Sequence, residues 1–168
     1  MKISFNILGQ ALIASTIFLY ACGGGDGNQQ ATSEETSSAS SEAASTEQVA
    51  VDPEAKSESK GVGRFTSVEI GPLDKSLSKK GEAVFTAKCS ACHKLSDEKI
   101  VGPGLKNVTL RRTPEWIMNM ITNPEEMTKQ DPVGKALFEK HLVQMTFQNV
   151  SDDETRQILE FLRDNDAK

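Results

Sequence analysis

Aromatic residues, histidines and cysteines are scarce in this chain of 168 residues. Aromatic side chains make up 5% of the sequence, and there are two histidines and three cysteines. A zinc site needs four ligands, commonly two cysteine pairs or one pair with two histidines, and this set is too small and too poorly spaced to supply them. The lack of a concentrated basic helix and of an aromatic stacking face excludes nucleic acid as a partner. With so few aromatics, a small core would gain from a large apolar cofactor.

The acidic charge of the chain is confined to one segment. Residues 23–60 hold eight acidic and two basic residues, a net charge of −6, whereas residues 61–168 hold sixteen of each sign. The acidic segment is rich in Gly, Ser, Glu, Ala and Thr and has no apolar period, so it cannot bury enough surface to offset chain entropy. We therefore predict a disordered tether over residues 22–60, which would span about 35 Å as a flexible coil, and one folded domain over residues 61–168.

The N-terminus has the features of an export signal. An uncharged, mostly apolar run follows Lys2, but it is short for a membrane-spanning helix and carries several polar residues. Its end resembles the lipobox of bacterial lipoproteins, with Leu three positions and a small residue one position before a cysteine, here Leu19-Tyr20-Ala21-Cys22. The resemblance implies a signal peptide over residues 1–21 and a lipidated Cys22 that anchors the protein on the periplasmic side of the bacterial envelope. The alternative is an uncleaved signal anchor.

Helical periodicity and capping residues predict an all-α domain of about four helices with long loops between them. No credible strand pairs are evident. The predicted helices start at N-cap residues or at an N-cap followed by Pro, and they run from Asp74 to about Lys88, from Thr113-Pro114 to Asn123-Pro124, from Asp131-Pro132 to about His141, and from Ser151 onward. Gly81 lies on the apolar face of the first helix, where it costs stability relative to Ala, and this predicts close approach by another element.

The motif Cys89-Ser-Ala-Cys92-His93 indicates covalent haem attachment. It offers two thiols spaced for the two vinyl groups and an imidazole beneath the iron, all on about one helical turn. A thioredoxin-like redox pair would need a βαβ context, and a structural disulfide usually closes a longer loop. The sequence therefore predicts one haem bound through Cys89 and Cys92, with His93 as an iron ligand.

The second axial ligand is less constrained by the sequence. Met118 and Met120 lie in an apolar helix and are expected in the core, whereas Met127 lies in a polar turn. Met145 lies in a loop between helices, from which a thioether can reach the open face of the haem, and His/Met ligation suits electron transfer. We therefore favour Met145 and keep Met127, His141 and an open site as alternatives.

The region from about residue 70 to 165 resembles the class I cytochromes c. The matching features are a helix with Gly and an aromatic before Cys-x-x-Cys-His, a Gly-Pro-x-Leu loop, a Trp-bearing helix, a Met loop and a final helix with an aromatic, which are here Gly81, Phe85, Gly102-Pro103-Gly104-Leu105, Trp116, Met145 and Phe161. The resemblance implies that the Pro103 carbonyl accepts the His93 Nδ1 hydrogen, that Gly81 and Phe85 cross near Phe161, and that Trp116 approaches a haem propionate. Arg111 and Arg112 could compensate propionate charge or be solvated. One departure is Thr146, where the family often has Pro.

The function that these features imply is one-electron transfer by a monomeric carrier. The expected partners are redox proteins, such as a quinol-oxidising complex, a terminal oxidase or a reductase. An excess of basic residues over residues 75–112 suggests a basic rim near the haem edge that steers an acidic partner. The alternatives are a peroxidase-like haem enzyme with an open iron site, for which His141 is the only candidate acid or base, and a redox or gas sensor with a labile sixth ligand.

Overall fold

A computed structural model describes residues 51–168 and contains six helices in that range. The predicted signal peptide, Cys22 and the first part of the tether lie outside the described residues. In chain order the helices are α1 (Lys75–Lys88), α2 (Val108–Arg111), α3 (Pro114–Thr122), α4 (Pro124–Gln130), α5 (Pro132–His141) and α6 (Asp152–Asp166). Between residues 51 and 168, β-pairing is limited to one isolated bridge, His93 with Lys99. The predicted all-α class is confirmed, and none of the described helices is long and apolar enough to cross a membrane.

The four predicted helices begin where their capping residues place them. The Asp74 carboxylate accepts hydrogen bonds from the amides of Ser76 and Leu77 at the start of α1. At the start of α6 the Ser151 hydroxyl accepts from the Glu154 amide at 3.2 Å, and the Glu154 carboxylate accepts from the Ser151 amide at 2.9 Å. These caps satisfy N–H groups that have no partner within the helix, which is why helix starts could be located from the sequence.

Two short helices were not predicted. Helix α2 is a single turn in a region that we expected to be a loop. At the start of α2, the amides of Asn107 and Thr109 donate hydrogen bonds to the Asp166 carboxylate of α6. Helix α3 ends at Thr122 and α4 begins at Pro124, so Pro124 starts a further helix where we expected only the end of the preceding one. The expectation that Met127 lies in a polar turn is wrong, because Met127 is in α4 and is fully buried.

Helices α1 and α6 cross at Gly81. A Cβ atom at this position would lie 1.9 Å from the Gln157 carbonyl oxygen of α6, so only glycine permits this approach. Next to the crossing, the rings of Phe85 and Phe161 are 5.4 Å apart and tilted by 52°, an aromatic geometry that adds to the burial of both side chains. The prediction that Gly81 and Phe85 meet the last helix near Phe161 is confirmed.

A non-helical segment at the start of the described chain, residues 51–68, packs along α2 and α3, and we call it the strap. Arg112 donates hydrogen bonds to the carbonyls of Pro53 and Ala55, and the Asn119 amide donates to the carbonyls of Lys60 and Phe65 at 3.0 and 2.9 Å. Residues 51–60, which the sequence assigns to the tether, are therefore bonded to the domain. Their order comes from distant buried side chains, so local composition could not reveal it.

Removing residues 51–60 should destabilise the domain. A chain that begins at Gly61 leaves Arg112, which is 6% exposed, without two of its carbonyl acceptors. Because hydrogen bonds to charged groups contribute about 1.5–3 kcal/mol each and water recovers part of this, we expect a loss of about 2 kcal/mol. Urea denaturation of the haem-loaded protein, followed by far-ultraviolet circular dichroism, measures it. A chain that begins at Val51 is the control, and equal midpoints for the two chains would contradict the expectation.

Candidate functional site

One cleft in the domain gathers the predicted haem-site residues. Its cavity volume is about 260 Å³, close to the lower end of the range of roughly 300–1,000 Å³ for small-molecule pockets. The sequence singled out six residues from separate parts of the domain, and all six line this cleft: Cys89, Cys92, His93, Pro103, Trp116 and Met145.

The two cysteines lie on a tight turn that follows α1. The amides of Cys92 and His93 both donate to the Cys89 carbonyl, each at 3.0 Å. Both thiols are free, and Cys89 is half-buried while Cys92 is exposed. Burial raises the pKa of the Cys89 thiol above its usual value. The turn thus presents two free thiols on one side of the cleft, as addition to two vinyl groups requires.

The ring of His93 is fixed by the loop that follows the motif. Its Nδ1 lies 2.9 Å from the Pro103 carbonyl oxygen, so Nδ1–H donates and Nε2 keeps its lone pair for a metal. The ring packs against Gly102, where a Cβ atom would lie 2.5 Å from the His93 Cε1. The hydrogen bond that the Gly-Pro-x-Leu loop implied is therefore present, and Gly102 has a steric reason to be glycine.

The loop of residues 142–150, here called the Met loop, brings Met145 to the cleft. The Gln144 side-chain oxygen accepts from Thr128 of α4 at 2.8 Å, and its amide donates to the Met145 carbonyl at 2.9 Å. Lys88 of α1 donates to the Asn149 carbonyl at 2.9 Å near the other end of the loop. These hydrogen bonds hold the loop although Thr146 stands where many family members have Pro. The role of Gln144 in holding the loop was not predicted from the sequence.

The remaining candidates for the second ligand separate clearly. Met118 is in the core as expected, whereas Met120 is half-buried and lines the cleft. Met127 is fully buried, and its sulfur accepts a hydrogen bond from the Val62 amide at 2.9 Å. Met127 does not line the cleft and is excluded in this fold, while His141 does line it.

Trp116 and the two arginines use their polar groups mostly within the protein. The Trp116 Nε1–H donates to Asp131 at 2.8 Å, and the Arg112 guanidinium lies 5.3 Å from the centre of the Trp116 ring. Burial lowers the pKa of Arg112 below its usual value. Hydrogen bonds from its guanidinium to three backbone carbonyls replace part of the lost hydration. Arg111 pairs with Glu54 of the strap, and its Nε is buried without a partner. Of the two arginines, Arg111 therefore retains a donor for a carboxylate in the cleft.

The predicted basic rim is weaker than its composition suggests. Lys75 pairs with Asp164, Lys88 with Glu154 and Arg111 with Glu54, while Arg112 is buried. Residues 75–112 contain nine basic residues. Four of them are therefore paired with a carboxylate or buried. The steering hypothesis therefore depends on the remaining lysines, which are Lys79, Lys80, Lys94, Lys99 and Lys106.

The cleft residues fit a covalently bound haem. Val101, Phe138 and Val143 line the cleft with 47%, 38% and 42% of their surface exposed, which is an apolar wall that a flat macrocycle would cover. The free thiols of Cys89 and Cys92 would hold its vinyl groups, and His93 and Met145 would bind its iron. The group would supply a one-electron iron couple, and the protein would supply the ligands, the apolar enclosure and the charges around it.

The comparisons with known proteins agree with this chemistry. The family model of cytochrome c matches residues 78–166. A cytochrome c from Rhodothermus marinus is 40% identical, with a TM-score of 0.60 over 62% of this chain and 90% of that one. An engineered cytochrome c from the same organism is 38% identical, with a TM-score of 0.61 over 70% of this chain and all of that one, and it has also been solved with a bound carbene intermediate. No curated protein sequence matched the chain. The thiol pair, the oriented histidine and these similarities together show that the chain belongs to the cytochrome c family, haem electron carriers that bind haem c covalently.

Proposed function

We propose that this protein carries single electrons between redox proteins outside the cytoplasm while it is tethered to a membrane. His93 and Met145 would be the axial ligands of its one haem, and lipidated Cys22 would be the anchor. The partners would be a quinol-oxidising complex, a terminal oxidase or a reductase for another acceptor.

The observation that carries the redox part of the proposal is that hydrogen bonds fix the two residues that we propose as ligands. His93 is oriented by the Pro103 carbonyl, and Met145 belongs to a loop bonded to α4 through Gln144 and to α1 through Lys88. Ligands held by the fold in this way would change little between the two oxidation states, so little would reorganise on electron transfer. A thioether ligand also favours the reduced iron and raises the reduction potential.

The anchoring part of the proposal is supported by the sequence alone. The Leu-x-Ala-Cys pattern ending at Cys22 resembles a lipobox, and the polar chain that follows has no apolar period. Residues 23–50 would separate the lipid from the strap and let the domain reach partners over a distance of about 30 Å. Small, short-lived interfaces are typical of such redox encounters.

Fractionation of cells tests the anchor. We expect the native protein in the membrane fraction, released by detergent but not by high salt, and Cys22→Ala lacking the lipid in intact-mass measurement. Ser33→Ala in the same polar segment is the matched control and should behave as the native protein. A native protein without added acyl mass would disprove the lipid anchor.

Separately, a potentiometric titration should give one reversible one-electron step, and its absence would disprove the carrier function.

A further inference from the structure

His141 contributes a buried polar atom to the haem cleft that the proposed ligands do not use. It is the last residue of α5, its ring is half-buried, and its Nε2 is shielded from solvent without a hydrogen-bond partner. Among residues 51–168, three buried side-chain nitrogen or oxygen atoms lack partners, and two of them, His141 Nε2 and Arg111 Nε, belong to residues that line this cleft. Buried polar atoms are almost always bonded, so such atoms need an explanation.

The charged groups around His141 come from three elements. Lys99 on the loop after the motif and Lys140 on α5 act on the imidazole as cations, and Glu54 of the strap acts as an anion. Glu54 is itself bonded to Lys140 at 2.8 Å and to Arg111. Burial and the two lysines lower the pKa of His141, whereas Glu54 opposes them. The imidazole therefore lies near two lysines, in the wall of the cleft that the haem would occupy. The net charge of that haem would change by one on oxidation or reduction.

We propose that His141 is a redox-linked proton-binding site of this cytochrome. Reduction adds one electron to the cleft and raises the proton affinity of His141, which between its two pKa values takes up a fraction of a proton from solvent; oxidation passes the electron to the partner and returns that fraction to solvent. No covalent bond forms or breaks, and the redox protein that accepts the electron is the oxidant. The inference rests on the one-electron couple of the proposed function.

The direction of the coupling follows from electrostatics. Oxidation adds one positive charge to the cleft, which disfavours the protonated imidazole, so its pKa is lower in the oxidised protein than in the reduced protein. Two unit charges about 10 Å apart in an effective dielectric of about 20 change each other's binding constants by roughly tenfold. Between the two pKa values of His141 the reduction potential therefore falls as pH rises, and outside that window it is constant.

Nuclear magnetic resonance tests the coupling directly. The chain has two histidines, and His93 would be held by iron, so the imidazole that remains free to bind a proton is His141. We expect its proton dissociation constant in the haem-loaded protein to be roughly tenfold larger in the oxidised state than in the reduced state. Equal constants in the two states would overturn the inference.

Potentiometry as a function of pH provides the second measurement. Across the pH range between the two pKa values of His141, the reduction potential of the native protein should fall by a total of about 59 mV for a tenfold ratio of dissociation constants. His141→Gln should lose this dependence, and Glu82→Gln, an exposed charge change on α1, should keep it. A pH dependence that persists in His141→Gln overturns the inference. A reversible but pH-independent couple in the native protein overturns the inference alone, whereas the absence of a reversible couple overturns the proposed function with it.

Discussion

Replacing Met145 with alanine should abolish the far-red charge-transfer band of the oxidised protein. That band arises from an iron–thioether bond, and alanine offers no ligand, so water or an open site would take its place. Because the thioether stabilises ferrous iron, the ratio of reduced to oxidised protein at a given potential should fall by about a thousandfold, which corresponds to about 180 mV for a one-electron couple. Visible spectroscopy and potentiometry of the haem-loaded variant measure both effects.

Met120→Leu is the matched control for this experiment. Met120 lies on α3 and lines the same cleft as Met145, so its substitution also removes a thioether from the cleft wall. We expect the variant to keep the band and most of the potential. If Met120→Leu loses the band and Met145→Ala keeps it, the ligand is Met120. High-spin ferric haem in the native protein would reject both methionines.

Gly81→Ala should cause the largest loss of stability among single methyl additions to the domain. The new Cβ would lie 1.9 Å from the Gln157 carbonyl oxygen and 2.4 Å from its carbon, and these backbone atoms cannot move away without displacing α6. Overpacking costs about 1–3 kcal/mol or more, and the higher helix propensity of alanine returns about 1 kcal/mol. Because the contact is with backbone atoms, we take the upper end of this cost and expect a net loss of about 2 kcal/mol.

Urea denaturation of the haem-loaded protein measures this loss, which should lower the midpoint by about 1 M or more at the m-values typical of small domains. Gly71→Ala is the control, because a Cβ at Gly71 has no atom within 4 Å. Its midpoint should stay within a few tenths of a molar unit of the native value. An unchanged midpoint for Gly81→Ala would show that α1 and α6 can separate at no cost.

The parts of the fold that the sequence predicted are those whose causes are local. Asp74 and Ser151 start helices because their side chains bond amides two or three residues away. The five residues from Cys89 to His93 indicate their chemistry because the thiols and the imidazole must share one turn. Gly81 could also be interpreted, because a glycine on a buried helical face needs a packing reason.

The parts that the sequence did not predict depend on distant residues. Helix α2 is capped by Asp166 from α6, and the strap is held by Arg112 and Asn119. Met127 was misplaced because a polar neighbourhood in the sequence became a buried position once Gly61 and Val62 of the strap covered it. None of these contacts leaves a periodic pattern.

The candidate site also contains residues that the sequence predicted and residues that it did not. The six residues that were named all reach one cleft, because the family pattern encodes their order along the chain. The residues that adjust the site were missed: Gln144, which holds the Met loop, and Glu54, which belongs to a segment expected to be disordered. His141 ends a predicted helix, and only the fold shows that it lines the cleft and that its Nε2 is buried.

The course of the strap has a consequence for how the protein would be presented to its partners. Pro53 and Glu54 are part of the cleft wall, so the described chain begins beside the cleft that the haem would occupy. A redox partner that approaches this face would therefore meet the N-terminal end of the strap as well as the helices and the Met loop.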